Sequence, residues 1–340
     1  MLLHQVRSAP NTILSVARIV LGVVLGVLLL VSIFWYHYSM LPMNTTIAPV
    51  PTKPVAEPFP IGVNPSTQTI IEQPQAEKYL DQFIASNHTR SPRFDTWLAK
   101  VRATIESFSW YQQLAAPRSR TAVIWSGERS EQVADSFAAI LNWTAAEKAE
   151  FQRQVETTQP MLDEGKYYPG RYVFHDHTTA TSAAAMVLDS FATQIQDRYS
   201  PDIAAQVPLA DALIIASLIE REAYDFNDMR YISGVIWNRL FINMPLQLDA
   251  TLQYARGVPG SNRSWWPIPV PADKFIDSPY NTYQNNGLPP TPISNPSVDA
   301  IIAALNPRQT DCLFYFHDAR GGFHCTETYE EHVTLLRQYY

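Results

Sequence analysis

The sequence predicts an α+β fold: an N-terminal transmembrane helix, a small α/β module, and a mainly helical half that ends in a β-hairpin. Three observations carry this. Residues 19–36 form an unbroken apolar run. Two strand-like stretches, Arg120-Thr-Ala-Val-Ile-Trp125 and Pro169-Gly-Arg-Tyr-Val-Phe174, enclose amphipathic segments. A third stretch, Leu209-Ala-Asp-Ala-Leu-Ile-Ile-Ala-Ser-Leu-Ile-Glu-Arg-Glu-Ala223, is almost wholly apolar and free of Gly and Pro, as a buried helix requires.

The first run has only Gly22, Gly26 and Ser32 as small interruptions, and with its flank from Ile13 it can cross a hydrocarbon core of about 30 Å. Trp35, Tyr36 and Tyr38 supply an aromatic belt at its outer end. Arg7 and Arg18 precede it, and no Lys or Arg follows before Lys53, so the N-terminus is expected inside. A cleaved signal peptide would have a shorter core and a small-residue cleavage site, which Tyr36-His-Tyr-Ser-Met-Leu-Pro42 is not. The reading is a cytoplasmic segment at 1–18 and a retained single-pass anchor at 19–39, with the rest of the chain outside the cytoplasmic membrane.

Residues 40–75, rich in Pro, Thr and Val, read as an extended tether. Residues 76–118 read as two helices, with Tyr79, Leu80, Phe83 and Ile84 and then Trp97, Leu98, Val101, Ile105 and Phe108 at helical spacing. The α/β module spans 119–204. Its first strand leads to a helix over 130–141 and a second one capped by Thr144; the strand ending at Phe174 precedes a long helix from Thr181 to about Arg198. The C-terminal half is 205–340.

A net charge of −7 without a basic cluster argues against a nucleic-acid partner. The two cysteines, Cys312 and Cys325, exclude a disulfide-dense scaffold. A hairpin turning near Arg320-Gly-Gly322 sets Cys325 opposite Phe316, so a bridge to Cys312 is not expected unless the turn is displaced. His175 and His177 lack the third ligand of a metal site, and neither a phosphate-binding glycine loop nor a nucleophile elbow around Ser217 is present. No metal and no cofactor are expected.

Chemistry concentrates at the end of the apolar helix. On a helix Glu222 shares a face with Ile215, Leu218 and Ile219. A carboxyl group at the foot of an apolar stripe is poorly solvated, which disfavours its charged form and suits it to donate a proton near neutral pH. The plain alternative is a helix surfacing at its end, with Glu220 and Glu222 as solvated residues around Arg221.

The sequence that follows tips the balance. Tyr231-Ile-Ser-Gly-Val-Ile-Trp-Asn-Arg-Leu240, Met244-Pro-Leu-Gln-Leu-Asp-Ala-Thr251 with Tyr254, Ser278-Pro-Tyr-Asn-Thr-Tyr283, Gly287-Leu-Pro-Pro-Thr-Pro-Ile293, Asn295-Pro296, Ala304-Leu-Asn-Pro307 and Leu313-Phe-Tyr-Phe-His-Asp318, then Glu331-His332, come in one order. Together with the glutamate pair they resemble the YceG-like family of membrane-anchored endolytic murein transglycosylases, closely over 205–335 and more weakly back to about 120. The resemblance implies a LysM-like module at 119–204 and a catalytic domain at 205–340. It also implies an enzyme, a lyase of bacterial cell-wall biogenesis, which cuts the MurNAc-β-1,4-GlcNAc bond of peptidoglycan to leave 1,6-anhydro-MurNAc ends and so terminates nascent glycan strands. Its partners would be peptidoglycan glycan strands, the cytoplasmic membrane and cell-wall synthases.

Residue by residue, the family's catalytic acid falls on Glu222. Glu220 lies about 200° round the helix from it and is assigned to orient Arg239 or another donor. Gln247 and Asp249 have the period-two spacing that puts both on one face of an extended stretch, where the resemblance implies cleft contacts. Asn238, Arg239, Thr251 and Tyr254 are read as substrate-binding or supporting residues. Tyr280, Asn281, Thr282 and Tyr283 make a candidate glycan platform, since aromatic faces cover sugar C–H surface while polar edges take hydroxyl groups. Trp265 and Trp266 could extend the cleft or anchor a lid. The chain departs from the family pattern at Leu248, Ala250 and Thr291, and in residues 76–118. Two other readings stand beside the transglycosylase: a muramidase using Glu222 with Asp249, and a non-catalytic wall-binding scaffold.

Overall fold

The computed structural model describes residues 57–87, 119–158, 160, 162–175, 177–257 and 264–340. Neither the expected anchor at 19–39 nor the second helix expected between Trp97 and Phe108 lies among them. No helix of the described residues is long and apolar enough to cross a membrane. What they form is a helix-rich α+β structure with three separate two-stranded antiparallel sheets.

The chain enters through β1 (Val63–Asn64) and β2 (Thr69–Ile70), a short hairpin with Val63 opposite Ile70. The tether read at 40–75 is therefore too long. Phe59 and Val63 are buried in the main core, and the Ile71 N–H donates to the Gly62 carbonyl at 2.7 Å. Alternating apolar residues in a proline-rich stretch gave this segment enough to bury. Helix α1 (Pro74–Asn87) follows, with Leu80 in the same core. Glu77 on α1 receives Nη1 of the buried Arg230 at 3.0 Å, a contact that ties α1 to the C-terminal half.

The α/β module runs β3 (Ser119–Ile124), α2 (Ser130–Leu141), α3 (Ala145–Glu156), β4 (Gly170–His175) and α4 (Ala180–Gln194). Strands β3 and β4 pair antiparallel with Ala122 opposite Tyr172. Helix α3 begins as its sequence dictates: the Thr144 hydroxyl accepts from the Glu147 N–H, while the Glu147 carboxylate accepts from the Thr144 N–H at 2.8 Å. The module has its own aromatic core, in which Phe137 lies 5.0 Å from Phe151 and 5.2 Å from Phe174 between ring centroids.

Helices α5 (Pro201–Gln206), α6 (Leu209–Glu222), α7 (Phe226–Phe241), α8 (Asp249–Arg256) and α9 (Val298–Leu305) build the other half. Every residue from Ala212 to Ile219 of α6 is buried, the signature of a helix packed on all sides. It packs against α7 and α9, and Trp237 of α7 donates its indole N–H to the Ala304 carbonyl of α9 at 2.9 Å. At Gly234 a Cβ would lie 2.4 Å from the Arg308 carbonyl, so only glycine admits the chain leaving α9.

The two cores meet at Asn295. Its side-chain oxygen accepts the N–H groups of Gly165 and Tyr167, both at 3.0 Å, and its amide donates to the Glu128 carbonyl at 2.9 Å. One buried side chain thereby holds two loops of the module against the loop before α9.

The chain closes with β5 (Phe314–His317), β6 (Phe323–Thr326) and α10 (Tyr329–Tyr339). Cys325 faces Tyr315, one register step from the expected Phe316, and Cys312 and Cys325 form a disulfide. The expectation of an unbridged pair is thus corrected. Cys312 precedes the paired strand: its N–H donates to the Thr310 hydroxyl, and its carbonyl accepts from the Asn238 side chain, both at 3.1 Å. The two Cα atoms lie 5.7 Å apart, within the usual span of a disulfide.

Candidate active site

Helix α6 ends at Ala223, where the backbone turns extended, and Glu222 is its last residue. Its carboxyl group points into a pocket of about 400 Å³ lined by side chains from α6, α7, the start of α8, the loop through Lys274 and Tyr283, the hairpin β5–β6, and α10. The Tyr315 hydroxyl donates to Glu222 Oε2 at 3.0 Å. Burial pushes the Glu222 carboxyl above its ordinary range. The hydrogen bonds from Tyr315 and the Ala250 N–H pull it back, the Asp249 charge raises it again, and His317 opposes. Burial also pushes the Tyr315 phenol far up, so it remains a donor.

His317 lies on the same face of β5 as Tyr315, two residues on, and its Nε2 is 2.9 Å from Oδ2 of the buried Asp228. That aspartate sits in the first turn of α7, where its own N–H donates to Asp225, so the helix N-terminus fixes it and it fixes the imidazole. On the other side of the pocket Asp249 Oδ1 accepts the Tyr283 hydroxyl at 2.7 Å.

Gln247 and Asp249 both line the pocket, but not as neighbours on one face of a strand. Gln247 sits at φ 49°, a left-handed backbone, and Asp249 opens α8. The turn is held because the Gln247 N–H donates to the Thr282 carbonyl and the Leu248 N–H to the Thr282 hydroxyl, each at 3.0 Å. Thr251 completes this support: its hydroxyl donates to the Leu248 carbonyl at 2.7 Å and lies 3.0 Å from that of Thr282.

The residues expected to form a glycan platform divide. Tyr283 lines the pocket. Asn281 and Thr282 are buried; Asn281 donates to the Lys274 and Ile276 carbonyls at 3.1 and 2.8 Å and so shapes the loop. Tyr280 packs on Tyr254 at 4.8 Å and bonds the Thr291 hydroxyl at 2.8 Å, which gives that departure from the family pattern a structural use. Tyr254 in turn lies under the Arg129 guanidinium at 4.2 Å. Trp265 and Trp266 also stack on arginines, Arg129 at 5.5 Å and Arg221 at 3.9 Å, and neither lines the pocket.

Three residues read as supporting have partners of their own. Glu220 does not reach Arg239; its Oε2 accepts the Ser297 N–H at 2.9 Å and the Ser297 hydroxyl, at the N-terminus of α9. A carboxylate there is favoured by the helix dipole. Asn238 faces away from the pocket and anchors the Thr310 and Cys312 carbonyls. Arg239 lines the pocket but donates Nε to the Leu313 carbonyl at 2.7 Å and Nη1 to the Pro245 and Leu246 carbonyls.

Sequence reading did not single out Tyr315, His317, Lys274 or His332 as site residues. The signal for the first two was present: a Phe-Tyr-Phe-His strand puts Tyr315 and His317 on one face by its period of two. Among the described residues no group of three His, Cys, Asp or Glu side chains is arranged to hold a metal ion.

A half-buried, protonation-prone glutamate at a helix end, opposed by a hairpin tyrosine and a helix-initiating aspartate, is the site this fold assembles. The pattern that defines the YceG-like family matches residues 66–338, and the chain belongs to that family. It is 36% identical over 159 residues to an endolytic murein transglycosylase of Streptococcus pneumoniae, covering 47% of this chain and 29% of that protein. With the endolytic murein transglycosylase of Bacillus subtilis it shares 34% identity over 177 residues, 52% of this chain and 48% of the other. The matches thus span less than half the length of these relatives. A crystal structure of a yceG-like protein from Listeria monocytogenes superposes with a TM-score of 0.54 at 28% identity, over 64% of this chain and 76% of that one.

Proposed function

We propose that the protein is a membrane-anchored endolytic lytic transglycosylase that cuts the MurNAc-β-1,4-GlcNAc bond of peptidoglycan, with Glu222 as its acid. The observation that carries this reading is the Glu222 carboxyl group, raised by burial above its ordinary range at the wall of a pocket wide enough for sugar. Protonated Glu222 gives its proton to the departing glycosidic oxygen. The muramic C6 hydroxyl then attacks C1 and loses its proton to the same carboxylate, closing the 1,6-anhydro ring. One carboxyl group serves both steps, because the nucleophile is tethered to the reacting ring. Tyr315 holds the carboxyl group in place, and Asp249 faces the positive charge that develops on the sugar.

Asp249 also supports a second reading, a muramidase in which it activates water, since it lines the same pocket as Glu222. Mass spectrometry of digested glycan strands separates the two. Anhydro ends mean the transglycosylase and reducing ends the muramidase; no new ends mean a wall-binding scaffold. The apolar run at 19–36 and the flanking arginines support placement in the cytoplasmic membrane with the N-terminus inside and the site outside. The disulfide is in keeping with that oxidising side. Cell-wall synthases working at the same membrane would be its neighbours.

A further inference from the structure

Arg239 is a charge with an unfinished set of partners. It is only 6% exposed, and carbonyls of Leu313, Pro245 and Leu246 take its Nε and Nη1. No described residue accepts from its Nη2, and no carboxylate among them lies within ion-pair range, although the side chain lines the pocket that contains Glu222. Desolvating a guanidinium is costly unless an anion compensates it. Carbonyls orient the group but bring no negative charge. Lys274 repeats the pattern at the pocket mouth: its Nζ lies 4.8 Å from the centroid of the Tyr283 ring, again with no described carboxylate in ion-pair range. Against these two cations stand Asp249, already bonded to Tyr283, and Glu222, whose burial favours the neutral form. Of the pocket histidines, His317 is held by Asp228, and burial with the Arg239 charge lowers His332 toward neutrality.

We propose that Arg239, with Lys274 at the entrance, receives a carboxylate carried by the glycan, so that the pocket selects an acidic strand over a neutral one of the same backbone. This rests on the reading of the substrate as peptidoglycan. Two sources of that carboxylate exist in the polymer's chemistry: the lactyl ether of a muramic residue stripped of its peptide, and the peptide of a substituted one. A guanidinium whose Nη2 alone is uncommitted can donate to either.

The test measures binding of the full-length protein in detergent, carrying Glu222→Gln so that turnover does not interfere. Four ligands are compared: peptide-free strands, peptide-bearing strands, and each after coupling of its carboxylates to methylamine. Loss of one charge-assisted hydrogen bond predicts that amidation weakens binding about tenfold or more. An effect on peptide-free strands assigns the lactyl carboxylate; an effect confined to peptide-bearing strands assigns the peptide. Arg239→Lys and Lys274→Gln should each shrink the ratio between native and amidated strands. Lys274 is exposed and its side chain supports no backbone, so its variant tests the idea even where Arg239 variants fail to fold. Equal binding of native and amidated strands, or a ratio unchanged in both variants, overturns the proposal. Cutting by the wild type is scored separately, so a protein that binds acidic strands without producing new ends refutes the transglycosylase and leaves the carboxylate site standing.

Discussion

Tyr315 donates its hydroxyl to Glu222 at 3.0 Å across 93 residues of sequence, joining the first strand of the C-terminal hairpin to the end of α6. The acid therefore has its environment set by two elements that share no local sequence. Helix α6 supplies the desolvation, and the hairpin supplies the hydrogen bond that limits it.

Glu222→Gln is nearly isosteric and has no proton to give. Cleavage of purified glycan should fall by ~10²–10⁴-fold, the loss expected of a general acid, while circular dichroism stays that of the wild type. Near-normal activity in the purified variant removes Glu222 from the mechanism. Asp249→Asn should cost less than Glu222→Gln if one carboxyl group suffices, and equal losses would favour two-carboxylate hydrolysis.

Stability should also respond to Glu222, with a definite sign. Its carboxyl is raised in the folded state, so the folded protein holds that proton more tightly than the unfolded chain. The stabilisation is complete below the ordinary value of 4.5 and is lost as pH rises through the folded value. Glu222→Gln should therefore gain in melting temperature over the wild type as pH rises from 4.5 through the folded value, and hold that gain above it. A difference between the two proteins that does not vary with pH would show that Glu222 titrates normally.

Tyr315→Phe removes the donor that favours the charged carboxyl. The Glu222 carboxyl should rise further, moving the alkaline limb of the pH–rate profile upward, while the loss of about 1 kcal/mol of orientation lowers the rate several-fold. The shift of the limb is the discriminating measurement, because simple damage to the hairpin would lower the rate without moving it.

Gly234→Ala tests the core. Its Cβ would meet the Arg308 carbonyl at 2.4 Å, and a backbone atom cannot rotate away. The variant should lose about 1–3 kcal/mol or more of stability in denaturant melts, as overpacking typically does. An unchanged midpoint would mean that the segment after α9 moves freely.

How much of this was legible depended on whether a residue's environment is local. Helix α6 and the elevated Glu222 carboxyl were readable, because the apolar neighbours at helical spacing are the environment. Thr144 announced the start of α3 in the same way. Asn281 and Thr282 were read as part of a glycan platform, and Asn238 and Thr251 as substrate-binding or supporting, since a buried amide or hydroxyl demands partners without saying which. Their partners turned out to be backbone groups 74, 7 and 34 residues away and other loop hydroxyls, a matter of tertiary packing. Glu220 was read as orienting Arg239 or another donor, and which donor was beyond the sequence for the same reason: it is Ser297, 77 residues on. The disulfide was missed because pairing by turn arithmetic assumes that both cysteines sit in the ladder, whereas Cys312 lies before it.

The Cys312–Cys325 bridge makes the tip of the hairpin a closed covalent ring. A protease that severs the exposed Arg320 turn would break the backbone but not detach the piece carrying β6 and α10. Such a nicked molecule would migrate as one species on a non-reducing gel and release its C-terminal fragment only after thiol treatment. Damage at this tip would then go unnoticed in any assay that counts intact chains by size alone, and peptide mapping under reducing conditions is the way to see it.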